Sequence, residues 1–90
     1  VVIDKPYIEE RISCHSYLRT FSVDIPDEEL KWHWDEEDRI VSSVKETDWL
    51  FQFDNNLPQS LNQEIFIPKG EFHRIIKGSE DLVIKVIKIF

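Results

Sequence analysis

The chain has 90 residues, room for one domain over residues 1–90, near the small end of what a single core supports. Its hydrophobic share of 41%, with three tryptophans, suffices for a real core. The formal net charge of −7 argues against nucleic acid or an anionic membrane as partner, because phosphate binding needs a net basic face. Cys14 is the only cysteine, which rules out an intrachain disulfide and a cysteine-based metal cluster and suits a cytoplasmic location.

No apolar segment approaches membrane-spanning length, and no signal-peptide pattern opens the sequence. It begins at Val1 rather than methionine, so a trimmed start is expected. Residues 1–10 carry an apolar triplet and then Pro6, which favours an extended arm or edge strand. Residues 16–23 are β-rich and read as one longer strand. Residues 24–30 hold Pro26 followed by Asp27, Glu28 and Glu29, and are read either as a short helical turn or as an acidic loop.

Residues 31–35 alternate, predicting a strand with Trp32 and Trp34 on one face and His33 and Asp35 on the other. Residues 36–38 read as a solvated turn and residues 39–45 as the next strand. In residues 49–53, Trp49, Phe51 and Phe53 claim the core face and leave Gln52 outward. Residues 54–58 carry strong turn chemistry. Residues 64–67 read as a half-buried strand that Pro68 ends, since proline has no N–H for the ladder. Gly70, one of two glycines, stands where a tight turn needs a positive φ. The chain then re-enters a strand at residues 72–76, which delivers His73 at the mouth of a hairpin, and turns again around Gly78. Residues 81–90 form a closing strand, with Lys85 and Lys88 as candidate protectors of a sheet edge. Seven or eight short strands in one small domain predict an all-β sandwich or small barrel.

This pattern resembles a cupin, a small jelly roll or double-stranded β-helix with two sequence motifs. The second motif runs Gly, five residues, Pro, one residue, Gly, two residues, His, three residues, Asn. Pro68, Gly70 and His73 match it in register, with Asn62 at the leading glycine and Lys77 at the closing asparagine. The first motif has two histidines one residue apart, then a glutamate, then a glycine six residues on. His33 matches, while Asp35, Arg39 and Glu46 replace the second histidine, the glutamate and the glycine. The resemblance implies a cupin-like barrel with two of the four usual ligands changed. The chain is also similar to the iron and 2-oxoglutarate oxygenases, whose His, one residue, Asp, distant His order fits His33, Asp35 and His73. Those enzymes place a basic residue past the distal histidine, for which Lys85 is the candidate.

Two side chains at i and i+2 on a strand lie about 6.6 Å apart at Cα and share a face, so both can reach one metal. A third ligand from a neighbouring strand completes a two-histidine, one-carboxylate triad, the arrangement typical of non-haem Fe(II). Zn(II), Mn(II) or Ni(II) fits the same ligands. The alternative is packed, hydrogen-bonded histidines, with Asp35 paired to Arg39. As a catalytic candidate, Arg39 would hold the carboxylate or phosphate of a small anionic molecule beside the metal; otherwise it forms a salt bridge to Asp35 or Glu37. Glu71 reads as a solvated turn residue, and His15 and Cys14 as structural.

The expected function is that of a small metal-binding cupin acting on a small organic acid or sugar-like molecule by oxygen chemistry at iron. The competing expectation is a non-catalytic cupin-like module for ligand binding or assembly. A homodimer is expected in either case, because Trp32 and Trp34 need cover if His33 and Asp35 face a pocket.

Overall fold

Alternating β-branched and aromatic residues produce eight strands, as the period-2 patterning predicts. The structure, a computed structural model, describes residues 5–90, so the apolar triplet at the start lies outside the described residues. The strands are β1 (Ile8–Arg11), β2 (Ser16–Phe21), β3 (Asp38–Ser43), β4 (Leu50–Phe53), β5 (Gln59–Ser60), β6 (Ile65–Ile67), β7 (His73–Ile76) and β8 (Leu82–Ile89). They form two antiparallel sheets, one ordered β1-β2-β8-β3-β6 and the other β5-β4-β7. Phe21, Val41, Ile67, Ile84 and Val86 from the large sheet meet Trp49 and Phe51 on the small-sheet side in one core. This is the all-β jelly roll expected from the sequence. Full burial of a side chain such as Phe51 or Leu61 contributes about 1.5–3 kcal/mol.

Alternation fixes what faces inward. Cross-strand pairing puts Arg19 opposite Ile84, Tyr17 opposite Val86 and Val41 opposite Val86 and Ile65, so two charged residues, Arg19 and Arg39, share the apolar inner face. On β4 the expected face is observed: Trp49 and Phe51 are buried, while Gln52 bonds outward to Arg74 Nε and the Asn56 carbonyl.

Several local expectations are corrected. The turn at Pro68 and Gly70 closes no hairpin: β6 pairs with β3 and β7 with β4, so it links the two sheets. β8 is no edge strand: β2 and β3 flank it on both sides. Lys85 lies exposed, outside the cavity described below, and so does not meet the role the oxygenase resemblance gave it. Lys88 sits over the Tyr17 ring and near Glu37 instead of guarding an edge. Residues 31–35 form no strand: His33 makes an isolated bridge to His73. The helical turn at residues 24–30 shrinks to a 3₁₀ turn, Asp27–Glu29, entered from Pro26. Glu37, read as solvated, is drawn inward by Arg39.

Both glycines are required, for different reasons. Gly70 has φ +82° with open space around it, so a side chain there would suffer backbone strain alone. At Gly78 a Cβ would stand 2.1 Å from Asp48 Oδ1 and 2.8 Å from the Trp49 nitrogen, so the obstacle is packing. Among the described residues no helix is long and apolar enough to cross a membrane. Trp32 stacks under the Arg74 guanidinium, and both it and Trp34 remain partly exposed; the homodimer expectation rests on this surface.

Candidate metal centre

The turn after β6 builds the site. Pro68 ends the strand, and the positive φ of Gly70 aims its N–H at the Asp35 carbonyl (3.0 Å). Next to it, the Lys69 N–H donates to Asp38 Oδ1 (2.7 Å), tying the turn to the start of β3. His33 and His73 then exchange backbone hydrogen bonds of 3.0 and 2.9 Å. Two segments forty residues apart are thereby locked side by side, and three side chains converge.

The donor atoms of His33, Asp35 and His73 lie within 4.8 Å of one another, so the group could hold a metal ion. Asp35 is 8% exposed and His73 4%, whereas His33 is exposed toward solvent. Phe51 stacks on the His73 ring at 5.3 Å, and the two imidazoles meet edge to face at 4.3 Å. Each ring is oriented by a backbone carbonyl: His33 Nδ1 lies 3.0 Å from the Lys31 oxygen and His73 Nδ1 2.8 Å from the Glu71 oxygen. A carbonyl only accepts, so each Nδ1 carries a proton, and a ring that is neutral keeps its lone pair on Nε2. Metal-ligating histidines are commonly tied in this way.

Burial pushes the Asp35 carboxyl up, but the nearby His73 side chain and the Arg39 charge outweigh it and hold the group below the usual carboxylate range. His33, though partly open to solvent, is lowered from its ordinary value, first by burial and also by its histidine neighbour. Asp35 Oδ1 sits 3.3 Å from Arg39 Nη1, while Oδ2 is buried without a well-directed hydrogen bond, 3.3 Å from His73 Nε2. Where the His73 ring is neutral, with its proton on Nδ1, two acceptors face each other across that gap. Such an arrangement is unfavourable unless a cation or a second imidazole proton lies between them. The residues therefore fit a divalent metal.

Arg39 fulfils both ion-pair possibilities open to it. Its Nε and Nη2 donate to Glu37 Oε1 at 3.0 and 2.7 Å, and its Nη1 faces Asp35. Glu71 and Cys14 are exposed, and the His15 ring lies against Phe90, outside the site. Between the sheets lies a cavity of about 250 Å³, lined by the triad, Arg39 and mostly apolar side chains. Sequence reasoning missed Arg19 and Tyr7 on its wall. A signal was there: Arg19 shares strand parity with Tyr17 and Phe21, a charge on the apolar face.

No family model matches the chain, and no curated protein matches it. Solved structures do. One is from the crystal structures of the DMSP lyases RdDddP and RnDddQII, with TM-score 0.67 and 17% identity over 83% of this chain and 37% of that one. A second is FeII HppE, with TM-score 0.62 and 11% identity over 82% of this chain and 41% of that one. The present chain thus spans less than half the length of either. A cupin domain from Bordetella pertussis Tohama I matches over 99% of both chains, with TM-score 0.59 and 14% identity. These likenesses establish a cupin fold.

Proposed function

We propose that this cupin-fold chain binds one divalent cation through His33 Nε2, Asp35 Oδ2 and His73 Nε2, and uses it to act on a small organic acid. The reading is carried by Asp35 Oδ2, a buried carboxylate oxygen without a well-directed hydrogen bond, beside two imidazoles tied through Nδ1. Two histidines and one carboxylate with open positions are the ligand set typical of non-haem Fe(II), and FeII HppE is a structural neighbour, so iron is the first choice of metal. When bound, such an ion polarises a coordinated oxygen and, as iron, supports oxygen chemistry.

The chain's own residues do the rest. Arg39 engages Asp35 Oδ1, which leaves Oδ2 as the free ligand oxygen, and Glu37 in turn fixes the guanidinium. That makes Arg39 a positioning residue in this reading. Phe51 holds the His73 ring flat from behind. The mostly apolar walls limit water around the site, whose His33 side is open to solvent.

The test is metal content after purification without chelator, together with melting in Fe(II), Mn(II) and Zn(II). About one equivalent of metal and a higher melting temperature are expected in the wild type, both lost in His73→Ala. Equal stabilisation of the two proteins would place the ion elsewhere. A second reading is that His73 is an imidazolium paired with Asp35 at 3.3 Å, making the cluster a structural ion pair in a non-catalytic module. Metal-free wild type with no melting response would favour it.

A further inference from the structure

The cavity tells what it would accept. Its walls include Phe21, Val41, Phe51, Ile67, Ile84 and Val86, so most of a ligand's body must be apolar to avoid burying unpaired polar groups. The charged residues facing it are Arg19, Lys31, Arg39, Asp35 and Glu29, with Glu9 and Glu37 paired to the two arginines. Arg39 is committed to two carboxylates, and Lys31 is exposed near Glu29 and His33, exposed liners that mark the cavity mouth. Arg19 differs. Its side chain is 11% exposed and stacks over Tyr7 at 4.3 Å, yet among the described residues only its Nε hydrogen bond is matched, to Glu9 Oε1 at 2.7 Å. A guanidinium carries five N–H donors, so with respect to the described residues the terminal ones are left for an anion.

We infer that the cavity takes a small monocarboxylate with a short apolar body, its carboxylate held by Arg19 and its other end turned toward His33, Asp35 and His73. At about 250 Å³ the space is below the range of drug-sized sites, so the body is short. A dicarboxylate or a sugar would leave polar groups against the apolar walls, and the site should reject both. The Arg19 contact stands without the metal, whereas the assignment of the reacting end rests on the metal reading.

The experiment is calorimetric titration of valerate, glutarate and 1-pentanol into chelator-treated protein, so that failure of metal binding and failure of acid binding are seen separately. Valerate should bind about tenfold or more tighter than 1-pentanol and glutarate, the worth of a charge-assisted hydrogen bond. Arg19→Met should erase that preference, and Arg19→Lys should keep part of it, losing the fork but not the charge. Should Arg19→Met fail to fold, Glu9→Gln serves: it leaves the arginine unneutralised and should tighten valerate binding. Valerate binding no better than 1-pentanol, an unchanged preference in Arg19→Met, or weaker valerate binding in Glu9→Gln overturns the inference.

Discussion

Arg39 on β3 and Arg19 on β2 line the same cavity from the same sheet, yet the clusters around them are incomplete in opposite senses. Arg39 faces two carboxylates, Asp35 and Glu37, and a buried carboxylate oxygen is still left over. Among the described residues, Arg19 faces one carboxylate, Glu9, and has donors left over. The first cluster, in which Lys88 also approaches Glu37, leaves a carboxylate oxygen unmatched, and the second leaves N–H donors unmatched. One inner face, built by the same alternation, thus offers complementary ends to a ligand. Balanced clusters would argue for structure alone; the imbalance is what points to function.

The strongest way to break the comparison is to remove the wall both clusters share. Phe51 is 1% exposed and stacks on His73, so Phe51→Ala should cost about 3–5 kcal/mol, a large part of a small domain's stability. Urea unfolding measures it, and a loss below about 1 kcal/mol would mean the core does not support the site. Next, Asp35→Asn removes the surplus acceptor charge with little change of shape. It should abolish the metal-dependent stabilisation, about 2.7 kcal/mol at a hundredfold excess over Kd in the wild type. Arg39→Met sharpens the picture by freeing Asp35 to rotate. Metal stoichiometry should stay at one while affinity falls about 10–100-fold. The visible spectrum of the Co(II) form should change too, which loss of a merely structural ion pair would not cause.

The smallest effect is expected far from both clusters. Asp48 accepts the Ser79 N–H at 2.9 Å, and that bond holds its carboxyl below the usual range. A lowered carboxyl contributes stability above its unfolded pKa and loses it as pH falls through the folded value. Asp48→Asn should therefore reduce the stability lost between about pH 5 and pH 2, and leave metal and acid binding untouched. Urea melts across that range give the answer.

What could be read from the sequence was what neighbouring residues decide among themselves. Pro68 and Gly70 specify a strand end and a turn locally, so the turn and the placement of His73 after it were legible, but not that this turn carries the chain from one sheet to the other instead of closing a hairpin. Alternation likewise gave the buried faces of Trp49 and Phe51. Pairing partners depend on residues distant in sequence, which is why β8 read as an edge although two strands flank it. The His33 segment read as a strand because alternation appears wherever chain is extended, paired or not. For Arg39, spacing allowed several partners, and only the fold brings Glu37 and Asp35 to it together. Arg19 was silent for the same reason: its meaning lies in the cavity, which no single strand encodes.

The most direct test of the metal centre is titration of zinc into nitrogen-15-labelled apo protein, followed by two-dimensional imidazole spectra. The neutral rings should start with the proton on Nδ1, and zinc should shift Nε2 of His33 and His73 together while both Nδ1–H signals persist. His15, against Phe90 and away from the site, should not move. Shifts at His15 alone, loss of the Nδ1 protons, or a His73 protonated on both nitrogens at neutral pH and indifferent to zinc would contradict the assignment.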